Sequence, residues 1–221
     1  MRIVVLASGR GTTFAALLDA QRQERLPIDI RLLLSDRRTA PVLRIAEAAG
    51  VPALALRPRD FSDRTDFDRA LFERAADAAP DLIVLAGYMR IIDASVVAQW
   101  RGRMINLHPS LLPKYPGLDT HARALAAGDS TFGASVHFVT GELDGGPVIA
   151  QVVVPIQSGD TPEQLAQRLR PFEHALLIET MHLIASRRVA IGPRGIELDG
   201  KALAQPLNLN AEGILDGPTA V

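Results

Sequence analysis

Asn106 and His108 stand two residues apart directly after the apolar pair Met104-Ile105, and in extended chain two such residues project to the same side. A neutral amide donates hydrogen bonds without titrating, while an imidazole hands over a proton or donates to an oxygen on which negative charge develops. Together they suit an oxyanion. Asp144 lies in Glu142-Leu143-Asp144-Gly145-Gly146-Pro147, a turn constrained by two glycines and a proline. An aspartate beside His108 would favour the imidazolium and raise its pKa, and could take a proton from an attacking amine through a water. A third cluster, Ser8-Gly9-Arg10-Gly11-Thr12-Thr13, follows a buried run and precedes a helical one, where free backbone N–H groups and the helix dipole favour a phosphate. Each cluster also has a plainer reading: a tight β-to-α turn, a loop histidine bonded to backbone, an Asx-turn aspartate.

The elements that must carry these groups follow from periodicity. Short β-branched runs at residues 2–7, 28–34, 52–56 and 82–86 alternate with helical patterns at 14–25, 42–49 and 64–79, as in parallel βαβ units with helices on both sheet faces. Residues 104–108 would then end another strand, on the side where open α/β sheets collect ligands. Residues 131–139 and 148–156 read as an antiparallel pair, 161–186 as a long helix, and 189–191 with 195–203 as a small strand pair turning at Asp199-Gly200. The expected fold class is α/β: a Rossmann-like, mostly parallel sheet with an antiparallel C-terminal extension. One domain is expected over residues 1–206, with halves near 1–100 and 101–206 and a frayed tail at 207–221.

Composition narrows the chemistry. Lys and Arg number 24 against 25 Asp and Glu, and the resulting net charge of −1 gives no field for nucleic acid or an anionic membrane. The absence of cysteine among the 221 residues excludes disulfides, cysteine-bound metal and thiol nucleophiles, and suits a reducing compartment. The opening apolar stretch is too short for a secretory segment or a membrane span, so a cytoplasmic protein is expected. The glycine loop lacks the G-x-G-x-x-G spacing and any Walker lysine, which weakens a dinucleotide reading. His121, His137, His174 and His182 complete the histidines; none has a tight ligand spacing, and no metal is expected.

Taken together, Ser8 to Thr13, Ala86-Gly87-Tyr88-Met89-Arg90-Ile91, the run from Asn106-Leu107-His108-Pro109-Ser110 to Lys114-Tyr115-Pro116-Gly117, Ser135-Val136-His137-Phe138-Val139-Thr140 and Asp144-Gly145-Gly146-Pro147 resemble the phosphoribosylglycinamide formyltransferase family over most of the chain. The resemblance implies transfer of the formyl group of 10-formyltetrahydrofolate, as co-substrate, to the amine of glycinamide ribonucleotide in purine synthesis, by direct attack through a tetrahedral intermediate. It implies Asn106, His108 and Asp144 as catalytic residues. It places the substrate phosphate at Gly11, Thr12 and Thr13, and the nucleotide near Arg170, Pro171, Phe172 and Glu173, with Glu173 on its amine. The folate would meet Met89, Arg90, Ile91, Ile92, Asn106, Thr140, Gly141, Glu142, Leu143 and Asp144, and Arg64 its glutamate tail. Small-molecule partners and at most a weak homodimer are implied.

The chain departs from the common pattern of that family in two places, at Thr12-Thr13 where Ser-Asn is frequent and at Arg170 where Gln is frequent. Residues 111–130 are expected to act as a lid over the reacting centre. A formyltetrahydrofolate hydrolase shares the catalytic region and is the nearest rival. Methionyl-tRNA formyltransferase shares it too, but needs basic surface for tRNA. A non-catalytic nucleotide-binding module would use the Gly11 loop and leave His108 structural.

Overall fold

Ile3, Val4, Val5 and Leu6 have no exposed surface in β1 (Arg2–Leu6), as a doubly covered central strand requires. The computed structural model of the chain describes residues 1–193 and 195–217. It divides into two compact units, one of Met1–Asn106 with Val139–Gly141, the other of Leu107–Phe138 with Glu142 onward.

The first unit alternates β1, α1 (Thr12–Arg22), β2 (Asp29–Ser35), α2 (Val42–Ala48), β3 (Ala53–Ala55), α3 (Arg64–Asp77), β4 (Leu82–Leu85) and α4 (Ala94–Gln99), with one turn of 3₁₀ helix at Pro58–Asp60. β5 (Met104–His108) runs through the unit boundary, with Met104, Ile105 and Asn106 in the first unit and Leu107 and His108 in the second. The first unit's strands take the order β5-β4-β1-β2-β3, every neighbouring pair parallel. This is the crossover architecture the alternation predicts. Its core packs Leu34, Phe67, Leu71, Phe72, Trp100 and Met104 against Val4 and Ile83. Asp63 and Asp93 cap α3 and α4, accepting the N–H groups of Asp66 and Ser95 at 2.9 Å each. α4 spans too few residues to carry a helical period and was not expected.

The second unit holds α5 (Thr120–Ala126), β6 (Thr131–Phe138), β7 (Val148–Pro155) and α6 (Pro162–Ala185). β6 and β7 pair antiparallel, with Ser135 opposite Gln151. α6 begins on a full capping box, in which Thr161 accepts from the Gln164 N–H at 3.2 Å and the Gln164 side chain accepts from the Thr161 N–H at 2.9 Å. It buries Leu165, Leu169, Leu176, Leu177 and Met181, packs on β6 and β7, and continues through Pro171. At about 2 kcal/mol per buried aliphatic side chain this face outweighs the ~3 kcal/mol that an interior proline costs.

Two expectations are corrected at the C-terminus. In place of a strand pair there are three antiparallel strands, β8 (Val189–Gly192), β9 (Gly195–Leu198) and β10 (Lys201–Ala202), with Asp199 at φ 52° and Gly200 at φ 77° between the last two. Nor does the described part of the tail fray: β11 (Leu207–Leu209) adds to β7 in parallel and pairs antiparallel with β12 (Leu215–Asp216). Leu207 and Leu209 are buried, which supplies the driving force that their short run conceals. The expected tail residues 218–221 lie outside the described residues.

Candidate active site

His108 ends β5 with its ring buried. Its Nε2 lies 2.9 Å from the carbonyl oxygen of Tyr115 and its Nδ1 lies 3.4 Å from Asp144 Oδ2. Both neighbours are acceptors. In the neutral ring the proton therefore belongs on Nε2, against the nearer oxygen, leaving Nδ1 free to take a second proton facing a carboxylate. Here an expectation is corrected: His108 titrates below the ordinary histidine value, because burial outweighs the upward pull of the Tyr115 carbonyl and of Asp144. Asp144 does act in the expected direction; desolvation is the larger effect.

Asp144 has φ 49°, a left-handed conformation that aspartate tolerates. Gly145 allows the turn, since a Cβ there would stand 2.8 Å from the Glu142 side chain. Asp144 Oδ2 also accepts the Gly117 N–H at 2.8 Å, and Oδ1 lies 3.6 Å from His137 Nε2. Burial pushes this carboxyl up, but the His137 and Gly117 hydrogen bonds and the two imidazoles together bring it below the usual range. His137 was passed over in the sequence as a strand residue. The available signal was its spacing from Ser135, two polar residues two apart in an otherwise apolar strand.

Asn106 is partly buried in β5, two residues before His108. Leu143 is 52% exposed beside Asp144, and Glu142 is exposed. On α6, Arg170 and Glu173 are partly buried and Pro171 and Phe172 exposed. Burial pushes the Glu173 carboxyl up to about 7, against a smaller downward pull from Arg170.

The first unit presents four further groups of expected residues. Gly11 precedes α1 at φ 80°, and a Cβ there would fall 2.5 Å from Val42 Cγ2, so glycine is required on both counts. Thr12 and Thr13 open the helix with no acidic residue in its first turn, which leaves an electropositive end. Residues 89–93 are pinned at both ends: Ser8 Oγ accepts the Met89 N–H at 2.9 Å and Asp68 Oδ2 accepts the Asp93 N–H at 2.8 Å. Between the pins Met89 and Ile91 are more than half exposed, Ile92 is buried, and the Arg90 guanidinium lies 5.2 Å from the centre of the Phe67 ring. Arg64 is exposed and 4.0 Å from Asp93. Thr140 and Gly141 belong to this unit, with Gly141 against Ala94. Sequence reasoning missed Ser8 Oγ and Asp68 as the fastenings, because each lies far along the chain from what it holds. Among the described residues, no group of three or more His, Asp or Glu side chains is placed to hold a metal ion, and no helix is long and apolar enough to cross a membrane.

A parallel α/β unit followed by a buried histidine and carboxylate at a strand end and turn is the framework of a group-transfer enzyme, and the chain belongs to the formyl transferase family, whose pattern it matches over residues 1–181. It is 42% identical to the phosphoribosylglycinamide formyltransferase of Escherichia coli (strain K12) over 203 residues, covering 92% of this chain and 96% of that protein. The solved structure of the phosphoribosylglycinamide formyltransferase of Coxiella burnetii is similar at a TM-score of 0.88 and 44% identity, over 92% of this chain and 96% of the other. A formyltetrahydrofolate deformylase from Pseudomonas syringae pv. tomato is similar at a TM-score of 0.83 but 26% identity, and this chain covers 65% of it.

Proposed function

We propose that this protein, acting in the cytoplasm, transfers the formyl group of 10-formyltetrahydrofolate to the amine of glycinamide ribonucleotide, giving formylglycinamide ribonucleotide in purine biosynthesis. The observation that carries the reading is the buried His108–Asp144 pair in a chain that matches a phosphoribosylglycinamide formyltransferase almost end to end.

In this reading the substrate amine attacks the formyl carbon directly, and the carbonyl oxygen becomes the oxyanion of a tetrahedral adduct. Asn106 donates its amide N–H to that oxygen. His108, protonated on both ring nitrogens, lends it a proton from Nε2, exchanging the Tyr115 carbonyl for the adduct, and takes that proton back as the carbonyl re-forms, while Asp144 stabilises the charged ring. The attacking nitrogen gives up one proton, through water to Asp144, and the departing folate nitrogen gains one, so the transfer is balanced. The α1 N-terminus at Gly11, Thr12 and Thr13 receives the ribonucleotide phosphate. Arg170, Pro171, Phe172 and Glu173 meet the nucleotide, with Glu173 on its amine. Met89, Arg90, Ile91, Ile92 and the turn Thr140, Gly141, Glu142, Leu143, Asp144 receive the folate, Arg64 takes its glutamate tail, and residues 1–206 make up a single formyltransferase domain.

The test is folate deformylation followed by absorbance, with and without glycinamide ribonucleotide. Turnover that requires the ribonucleotide is expected, and His108→Ala should lower kcat by about a thousandfold while ligand binding persists. Turnover without an acceptor would make the protein a hydrolase. Ligand binding with no turnover in the unaltered protein would make it a binding module.

A further inference from the structure

The Tyr115 carbonyl that faces His108 is itself held in place by a buried polar network no part of the proposed reaction uses. Gln151, on β7, directs its Nε2 to two acceptors, the Leu112 carbonyl at 2.9 Å and Ser135 Oγ at 2.9 Å. Ser135 Oγ donates to the Ser110 carbonyl at 2.7 Å and accepts the Leu112 N–H at 3.1 Å. Its one proton and both lone pairs are then committed, so its orientation is fixed. Ser110 Oγ in turn donates to the Lys114 carbonyl at 2.6 Å and lies 3.3 Å from the Tyr115 carbonyl, the oxygen that accepts His108 Nε2–H.

Ser110 and Ser135 have no exposed surface, so an unpaired group here costs its full desolvation. The fastening also has work to do: Tyr115 sits at φ 55°, which a bulky side chain does not adopt without support from its surroundings. In this network only Gln151 supplies a donor from outside the 108–115 segment and Ser135. A glutamate of the same length would bring acceptors to the Leu112 carbonyl, which has none to give.

We infer that Gln151 is a positioning residue: through Ser135 and the turn from Ser110 to Tyr115 it sets where the Tyr115 carbonyl stands, and so holds His108 with its proton on Nε2 and Nδ1 open toward Asp144. The inference rests on the catalytic reading of His108 given above, but its first readout does not depend on activity. Nitrogen-15 spectra of the histidine rings, recorded on the full-length protein at about pH 8 where His108 is neutral, distinguish the two ring nitrogens, and His108→Ala assigns the signal. The expected result is an Nε2–H ring in the unaltered protein and a mixed tautomer population in Gln151→Met and in Gln151→Glu. Alongside it kcat should fall about tenfold with KM for both substrates within about twofold, the mark of a misplaced reacting group rather than lost binding. Gln151→Glu keeps the size and polarity of the native residue and decides the matter alone where Gln151→Met does not fold. An unchanged His108 tautomer in a folded variant overturns the inference. A shifted tautomer with unchanged turnover supports the placement by Gln151 and overturns the catalytic role of His108 instead.

Discussion

Glu173 keeps its proton to near neutrality because burial on α6 disfavours its charged form, against a smaller downward pull from Arg170. Its folded pKa of about 7 lies above the ordinary 4.5, so between those values the folded chain binds a proton that the unfolded chain has released. Stability from this group is therefore complete below about pH 4.5 and is lost as the pH rises to about 7. Glu173→Gln should be more stable than the unaltered protein by about 1–2 kcal/mol at pH 8 and indistinguishable at pH 4.5, as read by denaturant titration at both pH values. Equal stability at pH 8 would mean that water reaches this carboxylate. In the sequence such a residue looks like any helix glutamate; its burial comes from packing that no local pattern records. Asn106, His108 and Asp144 were legible because each is a polar residue at a strand end or a constrained turn. Ser135 and Gln151 were not, because they lie inside apolar strands and find partners at Ser110 and Leu112, far along the chain.

The α1 terminus depends on one backbone position. Gly11 combines a left-handed φ with a Val42 side chain where its Cβ would be, so Gly11→Ala must both strain the turn and push α2 aside. A loss of about 2–4 kcal/mol is expected by thermal or denaturant unfolding, with a raised KM for the ribonucleotide in whatever fraction folds. An alanine variant of native stability would show that α2 gives way freely and that the loop is not rigid enough to frame a phosphate. Strands and long helices were legible where their hydrophobic period had room to repeat, and the boundaries of β1, β4, α3 and α6 fall within two residues of expectation. α4, β11 and β12 were not, since a few residues carry no period and are stabilised by what they pack against.

A net charge of −1 gives copies of this chain little electrostatic reason to stay apart, so its behaviour at high concentration falls to the finish of its sheet edges. β7 reads Val-Ile-Ala-Gln-Val-Val-Val-Pro, without a charge along its length, and Val153 is already half exposed. On the side away from β6, β11 pairs Leu207 with Ala150 and Asn208 with Gln151. Ending the chain at Pro206 would remove that cover and leave an uncharged, β-branched strand with unpaired backbone groups, the kind of edge that recruits another strand. Light scattering at rising concentration should show such a truncated chain self-associating while the full-length protein stays dispersed, and a dispersed truncation would mean β11 guards nothing. Residues 207–209 would then be the ones that make the fold safe to accumulate. Until they dock, each new molecule carries an open invitation to its neighbours.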